Sequence, residues 1–147
     1  AIKEKHYLIG NNVTEPLFPP AIKDEVPYLN FSPLDNAIAL LEKATGNINS
    51  AKDIVRTTQE KNNLNKALAH AEQALLTKGL PRRNWYRHSI YAPGFYTGYG
   101  VKTLPGIREA IENRKWDLAQ QQIESAARAI QSFTQQIDAA NAVLMMK

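Results

Sequence analysis

From Leu34 onward, one side of the chain runs Leu34, Ala37/Ile38, Leu41, Thr45, Ile48, Lys52 and Val55. Alternating steps of three and four trace one face of a helix. The phase runs through Gly46 unbroken, which favours a single helix of about 33–58 rather than two helices broken near 46–49. Ser32-Pro33 supplies a start, with a capping hydroxyl followed by a residue suited to the first helical position. Asp35 adds negative charge to the first turn, where the helix dipole favours it. The polar segment 57–63 reads as a turn, with Asn62 or Asn63 capping the next helix. That helix shows Leu64, Leu68, Ala71 and Leu75 on one face, and Gly79 and Pro81 stop it near 77.

The clearest periodicity comes last. Trp116, Ile123, Ile130, Ile137 and Leu144 recur every seven residues, and Ala119, Ala126, Phe133 and Ala140 fill the intermediate positions. This apolar stripe predicts a helix over about 115–145. Its alanines permit close helix approach. Just before it, Thr103 reads as the cap of a short helix that starts near Pro105 and carries Ile107, Ala110 and Ile111.

Two stretches follow other rules. Residues 1–9 read as the tail of a helix that Gly10 stops, as in a chain cut from a longer parent. Pro16, Pro19, Pro20, Pro27 and Pro33 then forbid a regular helix. Leu17, Phe18, Val26, Tyr28, Leu29 and Phe31 alternate with them, so the segment reads as an extended strap that tucks its apolar side chains onto the body. Between 78 and 106 no helical period fits. This run holds Trp85, four of the six tyrosines and five of the seven glycines. A long irregular stretch inside a compact domain is usually functional. Residues 88–92 (HSIYA) suit a short strand with no obvious partner.

The pattern therefore predicts an all-α fold in one domain over 1–147. It divides into a strap over 1–32, helices over 33–77, an irregular loop over 78–104 and helices over 105–145.

Composition agrees with a globular domain, at 147 residues, 44% hydrophobic and 22% charged. No apolar run approaches the roughly 20 residues of a membrane span, so no membrane contact is expected of this segment. The absence of cysteine excludes disulfides and thiolate metal sites but leaves the compartment open. The formal charge of +4 is scattered. Its densest cluster, Arg82, Arg83, Arg87 and His88, reads as solvated surface in the absence of a longer single-sign run.

Candidate chemistry is sparse. His6, His70 and His88 lack metal-ligand spacing. Gly94, Gly98 and Gly100 lack the Lys-Ser/Thr ending of a phosphate loop. Glu109 and Glu112 sit three apart on the short helix and read as a solvated face rather than paired catalytic carboxylates. No catalytic residue and no metal site is expected. The basic, aromatic run 82–99 leaves one alternative function, a free-standing helical module that binds nucleic acid or another anion by stacking and phosphate contact. A packed loop is the competing view, since Tyr and Trp bury an apolar body while keeping a polar tip.

The ordered set Gly79-Leu80-Pro81, Trp85-Tyr86-Arg87-His88, Ile90-Tyr91-Ala92-Pro93, Tyr99 and Leu104-Pro105-Gly106-Ile107 resembles the transferrin-receptor-like dimerisation domain, the C-terminal helical domain of glutamate carboxypeptidases. The likeness spans about 28–145, and its signature positions are Tyr86, Arg87, His88, Tyr91, Pro93, Pro105 and Gly106. It implies a homodimer, a peptidase domain of the same parent chain as neighbour, and no nucleic-acid role. It also implies that the parent's two zinc ions and catalytic glutamate lie outside this segment. In the family a Lys-Tyr pair on the irregular loop grips the substrate's C-terminal glutamate. The tyrosine falls on Tyr99, as a substrate-binding residue, and the lysine falls on Gly98, which puts glutamate preference in doubt.

Overall fold

In a computed structural model, residues 21–51, 57–96, 98 and 100–145 are described. They form four α-helices, a 3-10 turn and one two-stranded ribbon. The order is α1 (Ser32–Ala51), α2 (Thr58–Ala71), the 3-10 turn (Glu72–Leu75), β1 (Tyr91–Pro93), β2 (Val101–Thr103), α3 (Pro105–Glu112) and α4 (Trp116–Met145). The all-α expectation holds.

Helix α4 is the spine. Ile123, Ala126, Ala127 and Ile130 on its first half pack with Leu34 and Ala37 of α1 and Ile107 of α3. Further along, Ile137 packs with Ala44 of α1 and Ala71 of α2. The heptad stripe is thus the chain's own core face, with Ala119, Ile123 and Ala140 fully buried. Two cross-links fix how α1 lies on this spine. Asn30, just before α1, exchanges bonds with the Gln120 amide at 2.9 and 3.2 Å. Near the other end, Asn141 donates to the Ala44 carbonyl at 3.1 Å. Partner numbers rise together, so the two helices run side by side in the same direction.

Helix α1 continues through Gly46, as its unbroken phase predicts. Its start differs in detail. The Phe31 carbonyl accepts the first helical bonds, and the Asn30 side chain, not Ser32, receives an end N–H at 3.0 Å. The helix does not reach 58 as expected, because Thr57 is extended and caps the next one. The expected turn over 57–63 is therefore already helix. Thr57 accepts from Glu60 N at 3.1 Å while Glu60 returns a bond to Thr57 N at 3.0 Å. That reciprocal box satisfies two end N–H groups at once, which leaves Asn62 and Asn63 inside α2. Thr103 does not cap α3 either: Leu104 takes that position in the left-handed region, φ 46, with no side-chain bond.

The described part of the strap departs from expectation. Leu29 and Phe31 do pack on the core, but Ile22, Val26 and Tyr28 stay exposed. The Asn30–Gln120 staple brings the chain down onto α4 just where that packing begins. Upstream of it, Arg114 tethers the Asp24 carbonyl. Leu17, Phe18 and the helix tail expected over 1–9 lie outside the described residues.

Candidate functional site

The described part of the irregular segment 78–104 is a built structure. It opens on a tight turn. Gly79 has φ +111, and a Cβ placed there would meet the Asn84 carbonyl oxygen at 2.2 Å. Only glycine accepts both the conformation and the contact. Leu80 N then donates to the Tyr86 carbonyl at 2.8 Å, and Arg83 N to the Leu80 carbonyl at 3.1 Å. The segment next runs back along the end of the 3-10 turn, with Thr77 N donating to the Arg87 carbonyl at 2.8 Å and Ser89 N to the Leu75 carbonyl at 3.1 Å. It closes as an antiparallel ribbon in which Tyr91 faces Thr103, Ala92 faces Lys102 and Pro93 faces Val101. The strand read from HSIYA therefore has a partner, about ten residues on.

A buried ion pair holds the ribbon to α3. Arg83 is 5% exposed. Its guanidinium donates to Glu109 at 2.5 Å and to the Pro93 carbonyl at 2.5 Å. Glu109 also accepts from Phe95 N at 2.9 Å. Two readings are corrected here: Arg83 is not solvated surface, and Glu109 is not on a solvated face. Both were hidden because the partners lie far apart in sequence and their neighbours Arg82 and Glu112 look alike on paper. Glu112 does face outward, paired with Lys102 at 2.6 Å.

The signature residues serve as framework. Tyr86 stacks beside the Arg83 guanidinium, 5.6 Å from its centre. Arg87 donates through Nε to the Thr77 carbonyl at 3.1 Å. His88 Nδ1 faces the N–H groups of Ile90 and Tyr91 at 3.3 Å, so it acts as acceptor and the ring hydrogen sits on Nε2 in the neutral form. The ring lies 4.0 Å from that of Tyr91. Tyr91 donates its hydroxyl to Glu72 at 3.1 Å, and this bond, with the charge behind it, holds the phenol above its ordinary value. Pro93 supplies the carbonyl for Arg83. Pro105 is buried at the start of α3, where its missing N–H leaves no helical bond unmade. Gly106 lets α3 press against α4, since a Cβ there would lie 2.3 Å from the Gln122 amide oxygen. Tyr99, the expected substrate contact, lies outside the described residues. Its neighbour Gly98 has φ +62 with open space around an added Cβ.

Outward, the segment presents aromatic surface. Trp85 is 73% exposed and Tyr96 66% exposed, with Tyr91, Phe95 and Val101 also in the chain's exposed apolar set. Arg82 lies 4.4 Å over the Phe95 ring and donates to the Tyr96 hydroxyl at 3.1 Å. The adjoining cavity, between Phe95, Tyr96, Asn113 and Lys115, measures about 30 Å³. That is room for a water or two, so a substrate pocket here needs a second wall. His70 is exposed and bonds the Lys66 carbonyl at 2.8 Å. Among the described residues no three His, Asp or Glu side chains converge as metal ligands do, and no described helix is long and apolar enough to cross a membrane.

A helical core that carries exposed aromatic side chains on one hydrogen-bonded segment has the surface of an interaction domain. The chain belongs to the transferrin receptor-like dimerisation domain family, whose profile matches residues 29–138. It is 36% identical over 110 residues to a probable glutamate carboxypeptidase, LAMP1, of Arabidopsis thaliana, a match covering 69% of this chain and 16% of that protein. It is 34% identical over 109 residues to a probable glutamate carboxypeptidase of Arthroderma benhamiae, covering 74% of this chain and 14% of that protein. The chain thus spans about a sixth of the length of these curated relatives.

Proposed function

We propose that this chain is the non-catalytic homodimerisation domain of a glutamate carboxypeptidase-like zinc peptidase, and that its irregular segment forms one wall of the parent's substrate pocket. The observation that carries the reading is the pinned aromatic outcrop. Arg83 and Glu109 form a buried charge pair that holds a segment whose Trp85 and Tyr96 then face outward. Exposed aromatic surface on a segment anchored to α3 suits contact with another surface. The catalytic domain of the same parent, which would carry the two zinc ions and the catalytic glutamate, is that neighbour. Bond breaking belongs to it, and this chain supplies shape and hydrogen-bond donors. Gly98 stands where the family has lysine, so no ammonium is offered to a substrate carboxylate there, and Tyr99 remains as the hydroxyl donor.

Sedimentation equilibrium tests the first part: a reversible dimer is expected, and a chain that stays monomeric at millimolar concentration overturns it. For the second part, Trp85→Ala and Tyr96→Ala in the parent enzyme are expected to raise KM with dimer assembly intact. Unchanged KM in both variants removes the pocket role.

A further inference from the structure

One face of the α1–α4 pair is left open. Leu40, Lys43 and Asn47 line it from α1, and Gln131, Thr134 and Asp138 line it from α4. Each set is spaced three and four residues apart, so each is one helix stripe. Between them runs a groove of about 490 Å³. Ala44 and Thr134 lie buried in it, and Leu40 is 54% exposed at its edge. Neither Lys43 nor Asp138 makes an ion pair with any described residue, although they stand on opposite walls.

Their placement gives the groove a symmetry. Helices α1 and α4 run in the same direction, and the Asn141–Ala44 bond sets positions 44 and 141 level with each other. Lys43 and Asp138 therefore stand within about one turn of the same height. Rotation by 180° about an axis along the groove lays α1 of one copy over α4 of the other without reversing either helix. Lys43 of each copy then meets Asp138 of the other. Each contact occurs twice, as an isologous interface requires. Leu40 comes down on the small and polar α4 stripe and is removed from water.

We infer that this groove is the surface through which two copies of the chain pair, about a two-fold axis along α1 and α4, with Lys43 and Asp138 as reciprocal charge contacts. The inference rests on the dimerisation reading above and adds the face, the axis and the residues. The occupant is a second copy because the groove is complementary to itself in charge and because the family is defined by dimerisation.

The test is a charge exchange read by sedimentation velocity, with circular dichroism confirming unchanged helix content. Both positions face the open groove, so substitution leaves the core intact. Lys43→Glu alone and Asp138→Lys alone each set like charges together twice per dimer. Each is expected to raise the dissociation constant at least about tenfold. In a mixture of the two variants, a dimer with one copy of each brings opposite charges together at both contacts. The new glutamate of one copy faces the new lysine of the other, and the second contact keeps the native pairing. Mixing is therefore expected to restore a dimer of mixed composition. If the wild type dimerises and both variants dimerise equally well, the groove is not the interface and the dimerisation reading survives. If both variants weaken the dimer but the mixture does not recover, the two-fold pairing is wrong. A wild type that never dimerises overturns the inference together with the reading beneath it. Leu40→Glu that lowers the parent's stability and leaves its dimer constant unchanged would assign the groove to the peptidase segment and overturn the inference alone.

Discussion

Arg83 and Glu109 show what a single residue contributes that its type does not reveal. In sequence Arg83 is the second of two arginines. In the fold it is the cation that α3 and the ribbon share, with its charge matched by Glu109 and a further bond to the Pro93 carbonyl. Removing one member of such a pair strands the other away from water. Arg83→Met is expected to cost roughly 3–5 kcal/mol in urea unfolding, and Glu109→Leu a comparable amount. The double variant is expected to recover most of that loss, because no buried charge remains. A double variant whose loss equals the sum of the singles would show that the two side chains do not act on each other. Neither residue could be paired from sequence, since nothing local links position 83 to position 109. The signature residues Tyr86, Arg87, His88, Tyr91 and Pro93 were visible as a set, but that set carried no information on which bonds they make.

Elements differ in how much of themselves the chain spells out. The long helices were legible because their period repeats several times over and each repeat reinforces the rest. Helix α2 was misplaced at its start, although the spacing of Thr57 and Glu60 is the signal that marks a capping box. The ribbon had no such signal: three residues on each side are too few to show alternation. Glycines make the contrast measurable. Gly46 sits in α1 with nothing within 4 Å of an added Cβ. Gly46→Ala is expected to stabilise the chain by about 0.5–1 kcal/mol, through better helix propensity. Gly79→Ala is expected to destabilise it by more than about 1 kcal/mol, since φ +111 and the Asn84 backbone both oppose a side chain. Thermal unfolding of the two variants should move in opposite directions. A gain at both positions would mean that the 79–84 turn relaxes easily.

Across the whole molecule, α4 joins two core clusters that share no buried residue. Ile123 anchors one with Leu34 and Ile107, and Ile137 anchors the other with Ala44 and Ala71. A single 30-residue helix can link them only by remaining folded through both. Ile123→Ala and Ile137→Ala are therefore each expected to lower the stability of the whole chain, by roughly 2–5 kcal/mol. The denaturant slope should stay unchanged. A biphasic transition in either variant would show two separately folding halves. The same scale decides what the surface offers. A heptad period by itself suits a partner or the chain's own helices alike, and the fold turns it inward. Beside the exposed Ile22, Val26 and Tyr28 of the strap, the described residues leave outside the aromatic side chains of the irregular segment and the α1–α4 groove with Lys43 and Asp138 on its walls.

By itself the sequence determined the class of fold, the number and rough limits of the helices, the irregular segment and the family signature. Each of these is written in short-range terms, as a period along one helix or an ordered run of residues. The tertiary structure alone decided that the heptad face is core, that Arg83 belongs to Glu109, that β1 has β2 as its partner and that one groove stays open. Those facts depend on which distant side chains meet, and distance along the chain does not encode distance in space.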